Sequence, residues 1–112
     1  MGLEISICLT EGATVMSVDG RIDASTAPQL EQELNKVIQQ GRESILLNFA
    51  EVSYISSGGL RVLLKTIKEL QKNNGNLILC SLNTDVHKVF KLAGFTSIFK
   101  IYSSEEEALA AT

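Results

Sequence analysis

The amino-terminal segment alternates between apolar and polar side chains, as a half-buried strand does. Two such runs, Ile5 to Leu9 and Ala13 to Val18, are separated by Glu11-Gly12. A turn-forming pair between two alternating runs is typical of a β-hairpin. The pattern therefore predicts an antiparallel hairpin at one edge of a sheet.

The period of the pattern changes at Thr26. Thr26 and Gln29 have the spacing of a capping box, Pro28 fits a first helical turn, and Gly41 is a stop signal. Between these signals, four apolar residues recur at helical spacing: Leu30, Leu34, Val37 and Ile38. We therefore expect a first helix that starts at Thr26 and ends just before Gly41.

In the rest of the chain, short apolar runs alternate with segments whose apolar residues recur at helical spacing. Strands that are covered on both faces are nearly continuous apolar runs rather than alternating ones. On this basis the predicted strands are Ile45 to Phe49, Leu77 to Cys80 and Ile98 to Tyr102. The predicted helices are Gly58 to Asn74, a third that starts near Thr84 and closes at Gly94, and a short last one that begins near Ser104.

This order of elements predicts an α/β fold. Right-handed crossovers between the later strands place helices over a small mixed sheet of about four to five strands, flanked by about four helices. A chain of 112 residues is long enough for one such core. We therefore assign residues 1–112 to a single domain.

Composition and charge exclude several classes of function. The chain has ten basic and thirteen acidic residues, a net charge of -3, 5% aromatic residues and no Trp. It lacks the positive field that binds phosphate backbones and the aromatic surface that stacks bases, so we expect no direct contact with nucleic acid. Because no apolar run approaches the roughly 20 residues of a membrane-spanning helix, we also expect no membrane association.

The sequence offers little for metal or cofactor chemistry. Cys8 and Cys80 lie in apolar surroundings without CxxC spacing, and His87 is the single histidine. This pattern indicates two buried core thiols in a reducing compartment, which favours a cytoplasmic protein. We expect no metal, no cofactor and no catalytic residue, and therefore not an enzyme.

Small polar residues and paired glycines meet a predicted helix start at Ile55-Ser56-Ser57-Gly58-Gly59-Leu60. One interpretation is structural: Ser56 or Ser57 caps the helix, and the glycines let the turn pack closely. The other is functional: a serine at a helix start is accessible to a kinase, and a phosphate there meets free N–H groups and the positive end of the helix dipole. The residues alone leave both interpretations open.

The second predicted helix carries a basic stripe and one apolar residue outside its apolar arc. The stripe, which is typical of a solvated face, consists of Arg61, Lys65, Lys68 and Lys72. Val62 falls outside the arc of Leu60, Leu63 and Ile67. This position predicts an exposed apolar side chain next to Ser57 that could join a docking surface.

Three segments of the chain carry a family resemblance: Asp19 to Asp23, Ile55 to Leu64 and Lys91 to Phe95. They resemble the bacterial anti-sigma factor antagonists of the STAS domain family, and the similarity spans essentially the whole chain. In that family the loop commonly has the sequence Asp-Ser-Ser/Thr/Ala-Gly-Leu, and its first serine is phosphorylated by a partner anti-sigma factor that is also a serine kinase. Aligning Gly59-Leu60 with this loop implies that Ser57 is the phosphoacceptor.

This sequence departs from the family loop at two positions. Ser56 stands where many members have Asp, so Ser56 is a second candidate acceptor. Gly58 stands where a second Ser, Thr or Ala is usual. Asp23 matches the family's acidic residue in the turn before the first helix; it either shapes the loop or contacts the kinase, or it is an ordinary turn residue that caps the helix.

The resemblance implies a monomeric, phosphorylation-controlled binding protein. Unphosphorylated, it would bind an anti-sigma factor and free the sigma factor for transcription; phosphorylation would abolish binding, and a PP2C-type phosphatase would restore it. The expected partner-binding residues are Asp23, Ser56, Gly58, Gly59, Arg61, Val62 and Lys65.

Two other functions remain open from the sequence. One is a STAS accessory subunit of a transporter or signalling complex that is never phosphorylated. The other is a small enzyme or nucleotide binder that uses Ser56, Ser57 and the glycines as a phosphate cradle. The second is disfavoured, because the chain has no GxxxxGK[ST] or GxSxG motif and only one histidine.

Overall fold

The structure is a computed structural model that describes residues 2–111; Met1 and Thr112, the two ends of the predicted domain, lie outside the described residues. Its strands and helices, in chain order, are β1 (Glu4–Leu9), β2 (Thr14–Ile22), α1 (Ala27–Gln39), β3 (Ser44–Ile55), α2 (Ser57–Gln71), β4 (Asn76–Cys80), α3 (Thr84–Leu92), β5 (Ile101–Tyr102) and α4 (Glu105–Ala110). The strands form one sheet in the order β1-β2-β3-β4-β5. β1 pairs antiparallel with β2, and the other pairs are parallel. The predicted α/β class, mixed sheet and edge hairpin are confirmed.

The helices cover the two faces of the sheet unequally. Alternate side chains of a strand point to opposite faces, so Leu47 of β3 lies in a large core with α1, α2 and α3, whereas Leu46 lies in a smaller one. The smaller core is closed by Ala108 of α4. No helix within residues 2–111 is long and apolar enough to cross a bilayer.

β3 is much longer than the predicted strand, which ends at Phe49. Its later buried residues, Phe49, Val52 and Ile55, are three positions apart rather than two. The spacing changes because β3 has an extra residue relative to β2 at each of two register shifts, as in a β-bulge. Bulges break the alternation on which strand prediction depends, so the sequence pattern alone does not reveal the end of β3.

β5 is shorter than predicted, because the chain before it turns inward. Residues Phe95–Ser97 form a single 3₁₀ turn instead of leading into the strand. The turn brings the rings of Phe95 and Phe99 to within 6.2 Å of the Phe90 ring, measured between centroids, in edge-on arrangements. This aromatic packing buries Phe99 and leaves only Ile101–Tyr102 to pair with β4.

The two cysteines differ in exposure, although the sequence predicts that both are buried. Cys80 is buried in β4, and this burial raises the pKa of its thiol. Cys8 is exposed because β1 is an edge strand with little cover, and Ile7 and Leu9 beside it are also exposed. The prediction for Cys8 is therefore wrong.

The predicted capping box of α1 does not form. The Thr26 hydroxyl donates to the Arg21 carbonyl at 2.7 Å and accepts from the Asp23 N–H at 2.9 Å, so it fixes the turn instead of capping the helix. The side-chain amide of Gln29 binds both backbone polar groups of Leu3, as the backbone of a paired strand would. It accepts from the Leu3 N–H at 2.8 Å and donates to the Leu3 carbonyl at 2.7 Å. Gln29 thus fastens the amino-terminal segment to α1, with the Leu3 side chain in the core.

Replacing Gln29 by Ala should lower the free energy of unfolding by about 1–2 kcal/mol, because two partly buried backbone groups of Leu3 lose their partners. Urea denaturation measures this change. The matched control is Gln32→Ala, since Gln32 is an exposed glutamine of the same helix. Equal losses in the two variants would contradict the role given to Gln29.

Candidate functional site

The serine and glycine segment lies where β2 and β3 end together. The two strands are parallel, and their last residues, Ile22 and Ile55, are register partners. The Ser56 N–H donates to the Ile22 carbonyl at 2.8 Å and joins the start of α2 to the turn that follows β2. The site therefore occupies the carboxyl end of neighbouring parallel strands, the usual position of functional groups in such sheets.

Ser56 and Ser57 have different environments. Ser56 is the N-cap of α2: its backbone is extended, and its Oγ accepts the Gly59 N–H at 3.3 Å. Ser57 is the first helical residue and is exposed. Among residues 2–111, the N–H groups of Ser57 and Gly58 have no acceptor. Ser56 therefore holds the helix start, while the Ser57 hydroxyl faces solvent beside two free backbone donors.

The two glycines are under different constraints. A Cβ at Gly59 would lie 2.6 Å from Ile22 Cγ2 and 2.8 Å from Ile55 Cγ1, too close for any side chain without displacement. A Cβ at Gly58 would meet only the Ser56 Oγ, at an ordinary 3.6 Å. Gly59 is thus required for α2 to approach the strand ends, whereas Gly58 is not required by packing.

Asp23 organises the turn between β2 and α1. Its Oδ1 accepts the Ser25 hydroxyl at 2.7 Å, the Ser25 N–H at 3.0 Å and the Thr26 N–H at 3.2 Å. These bonds, the one from the Ser25 hydroxyl first, hold the pKa of the Asp23 carboxyl below its ordinary value. These bonds shape the turn that leads into α1, as an ordinary turn residue at a helix start also does; contact of Asp23 with a partner stays a prediction.

The elements that build the site include the cations Arg21 on β2 and Arg61 and Lys65 on α2, and two of these three are engaged within the chain. The Arg21 guanidinium lies 4.3 Å from the centre of the Tyr54 ring, and its Nε is 3.9 Å from Asp23 Oδ2. Lys65 donates to Glu31 of α1 at 2.8 Å, and this contact raises the pKa of its ammonium. Arg61 is exposed, and no carboxylate among residues 2–111 lies within ion-pair distance of it.

Val62 is buried, although the helical pattern predicts an exposed side chain. Only 8% of its surface is accessible, and it belongs to the main core. The buried face of α2 also includes Gly59 and Thr66, which a hydropathy pattern does not mark as core residues, and this rotates the buried arc toward Val62. The Thr66 hydroxyl satisfies its burial by donating to the Val62 carbonyl at 2.8 Å. Val62 therefore supports the helix from within.

Sequence reasoning misses Arg21 and Tyr54 as neighbours of the site. They are register partners on β2 and β3, and both are exposed. Because the predicted β3 ends at Phe49, it leaves Tyr54 in a loop with no partner strand. A pattern that allowed bulges in β3 would have paired the two residues. No group of three or more metal-ligating side chains occurs within residues 2–111.

The profile of the STAS domain matches residues 4–108. The chain belongs to the STAS domain family. This confirms the resemblance drawn from the loop and turn segments. BtrV of Bordetella bronchiseptica, named as a candidate anti-sigma factor antagonist, is 36% identical over 109 residues, which cover 97% of this chain and 94% of BtrV.

Solved STAS-like structures have the same architecture. An anti-sigma factor antagonist from Mycobacterium paratuberculosis superposes with a TM-score of 0.89 at 27% identity, covering 97% of this chain and 92% of that one. The phosphorylated form of SpoIIAA, described as a Bacillus cell fate determinant, superposes with a TM-score of 0.74 at 25% identity, covering 97% of each chain. The likeness therefore extends over nearly the whole length of each protein.

The contrast between the glycines predicts opposite effects of the same substitution. Gly59→Ala should lower the free energy of unfolding by about 1–3 kcal/mol, because its methyl group overlaps two core isoleucines. Gly58→Ala should leave stability unchanged or raise it by about 0.5 kcal/mol, since alanine is the better helix former. Thermal and urea denaturation measure both variants. A loss at Gly58 as large as that at Gly59 would contradict this assignment.

The N-cap assignment predicts that the neighbouring serines respond differently to truncation. Ser56→Ala should lower the free energy of unfolding by about 1 kcal/mol, because the Gly59 N–H loses its acceptor. Ser56→Asp should keep the stability of the parent chain, because aspartate also accepts this hydrogen bond. Ser57→Ala is the control and should change stability by less than about 0.5 kcal/mol. Urea denaturation of the three variants is the measurement. A larger cost at Ser57 than at Ser56 would reverse the assignment.

Proposed function

We propose that this STAS protein is an anti-sigma factor antagonist whose binding is controlled by phosphorylation of Ser57. The observation that carries the proposal is the difference between the two serines. Ser56 is committed to the helix cap, whereas Ser57 is exposed at the first position of α2. The relatives support the same function, since BtrV and the Mycobacterium paratuberculosis protein are both named as anti-sigma factor antagonists.

The proposed docking surface is the exposed area around the start of α2. Ser57, Arg61 and the Arg21–Tyr54 pair are accessible there, and Asp23 holds the adjoining turn. Its partner is an anti-sigma factor that is also a serine kinase, and docking releases the sigma factor for transcription.

The other predicted partner-binding residues support this surface indirectly. Gly59 and Val62 are buried, so they set the position of α2 without touching a partner. Ser56 holds the cap, and Gly58 leaves the hydroxyl of Ser57 unobstructed. Lys65 is paired with Glu31 of α1, so its ammonium is already engaged within the chain.

Phosphorylation would be tolerated by the free chain but not in the complex. In the free chain, a phosphate on Ser57 meets the free N–H groups of Ser57 and Gly58 and the positive end of the α2 dipole. In the complex, a charge near -2 must be desolvated at an interface where the partner protein has no cation prepared for it. If this costs about 3 kcal/mol, affinity falls roughly a hundredfold.

The protein therefore acts in this proposal as a binding partner and not as an enzyme. The kinase supplies its own catalytic base, so the chain needs only to present a hydroxyl. A PP2C-type phosphatase in the same cytoplasm returns the protein to its binding form. The proposal takes the chain as a monomer.

The test is modification and binding with serine kinases of the anti-sigma factor type from the same genome. After incubation with ATP, mass spectrometry should place one phosphate on Ser57 and none on the Ser57→Ala chain. By calorimetry, Ser57→Ala should keep its affinity for the kinase, whereas Ser57→Asp should lose on the order of tenfold or more.

The matched control is Thr96→Asp, which adds the same charge at an exposed hydroxyl residue of the 3₁₀ turn and should bind like the wild type. An unmodified chain whose variants all bind equally would refute the switch. That result would favour the accessory subunit that is never phosphorylated.

A further inference from the structure

Arg61 is the cation best placed to respond to a phosphate on Ser57. Arg21 already stacks on Tyr54 and lies near Asp23, and Lys65 is held by Glu31. Within the described part of the chain, Arg61 has no ion-pair partner, and the first turn of α2 contains no acidic residue that could compete for it. An exposed guanidinium without a partner is free to take up a new anion.

The helix places Arg61 within reach of Ser57. The two residues are four positions apart in α2, so their Cβ atoms lie on the same face at a separation of about 5–6 Å. An acidic group on the amino-terminal side of a basic one at this spacing is the favourable orientation. A guanidinium can also donate two parallel hydrogen bonds to a phosphate, which an ammonium cannot match.

Other cations of α2 are poorly placed for the same role. Lys65 is eight residues beyond Ser57, about 12 Å along the helix axis, and its ammonium is directed to α1 by Glu31. Lys68 is exposed but about 16 Å from Ser57 along the axis, which is beyond the screening length at physiological salt. Position and availability therefore both single out Arg61.

We propose that Arg61 is the intramolecular counter-ion of phosphorylated Ser57, and that phosphorylation thereby withdraws this cation from the docking surface. The inference rests on the proposed function only for the identity of the phosphoacceptor. In the unphosphorylated protein, Arg61 is available to an acidic group of the partner. After phosphorylation it is held by the chain's own phosphate, so the partner loses a cation and meets an anion at the same place.

The direct test uses the full chain with phosphoserine installed at position 57 during translation, so that it needs no kinase. A phosphorus NMR titration follows the second pKa of the phosphate, which is about 6 in an unpaired phosphoserine. The Arg61→Gln variant should raise this pKa by about 0.5 unit relative to the otherwise identical chain, because it loses the cation that stabilises the dianion. Arg61→Lys should recover part of the shift.

The controls separate Arg61 from its neighbours. Lys68→Gln should leave the phosphate pKa unchanged, and 1 M NaCl should remove most of the difference caused by Arg61→Gln. Because Arg61 is exposed, the variant should unfold at the same temperature as the parent when neither is phosphorylated. Equal phosphate pKa values in the parent chain and the Arg61→Gln variant would overturn the inference. A phosphate pKa that changes in the Arg21→Gln variant but not in the Arg61→Gln variant would also overturn it.

A binding measurement tests the second half of the inference. With the unphosphorylated chain, Arg61→Gln should weaken binding to the kinase on the order of tenfold, and the loss should diminish as salt is raised. Undiminished binding would show that the partner does not use this cation. Failure of a kinase to modify Ser57 would count against the proposed function, whereas the titration of the installed phosphoserine would still decide the role of Arg61.

Discussion

The close packing of Gly59 against Ile22 and Ile55 is the constraint on which the site depends. These isoleucines are the paired last residues of β2 and β3, and a glycine is required for α2 to descend onto them. The same approach brings the Ser56 N–H to the Ile22 carbonyl and joins the helix start to the turn organised by Asp23. One backbone contact thus positions the cap, the exposed serine and the adjoining loop together.

The separate roles of Ser56 and Ser57 follow from where the helix begins. An N-cap side chain turns back and accepts a hydrogen bond from one of the first N–H groups, whereas the side chain of the next residue is not used by the cap and is exposed at the helix start. Asp and Ser both accept hydrogen bonds at an N-cap, so Ser56 can replace the aspartate common in this loop without loss of the cap. The departure from the family pattern therefore changes the charge of the site but not its geometry.

Sequence patterns predict the features that depend on neighbouring residues, and they miss the features that depend on contacts between residues far apart in the chain. The edge hairpin, the start of α2 and the serine cap at that start depend on neighbouring residues, and these predictions are correct. α2 ends three residues earlier than predicted, and phosphorylation of the serine and glycine segment stays a prediction. The role of Gln29 is missed because its partner, Leu3, is 26 residues away. Val62 falls outside the predicted core because the burial of Thr66 depends on a hydrogen bond that hydropathy does not show.

The end of β3 has the largest consequence for the site. Its two register shifts bring Tyr54 beside Arg21, and neither residue carries a local signal for this contact. Arg21 is engaged by Tyr54 and Asp23, and Lys65 is engaged by Glu31. Arg61 is therefore the cation near Ser57 that has no ion-pair partner among residues 2–111.

A switch built on these residues needs no change of fold. In the proposed switch, the free N–H groups at the start of α2 would accommodate a phosphate while the chain is in solvent, and the same phosphate would lose its water when a partner covers it. The two states of the protein would then differ in solvation and charge rather than in conformation. A small domain with a rigid helix start is sufficient for such a mechanism, because the chemistry of the transfer would belong to the proposed kinase.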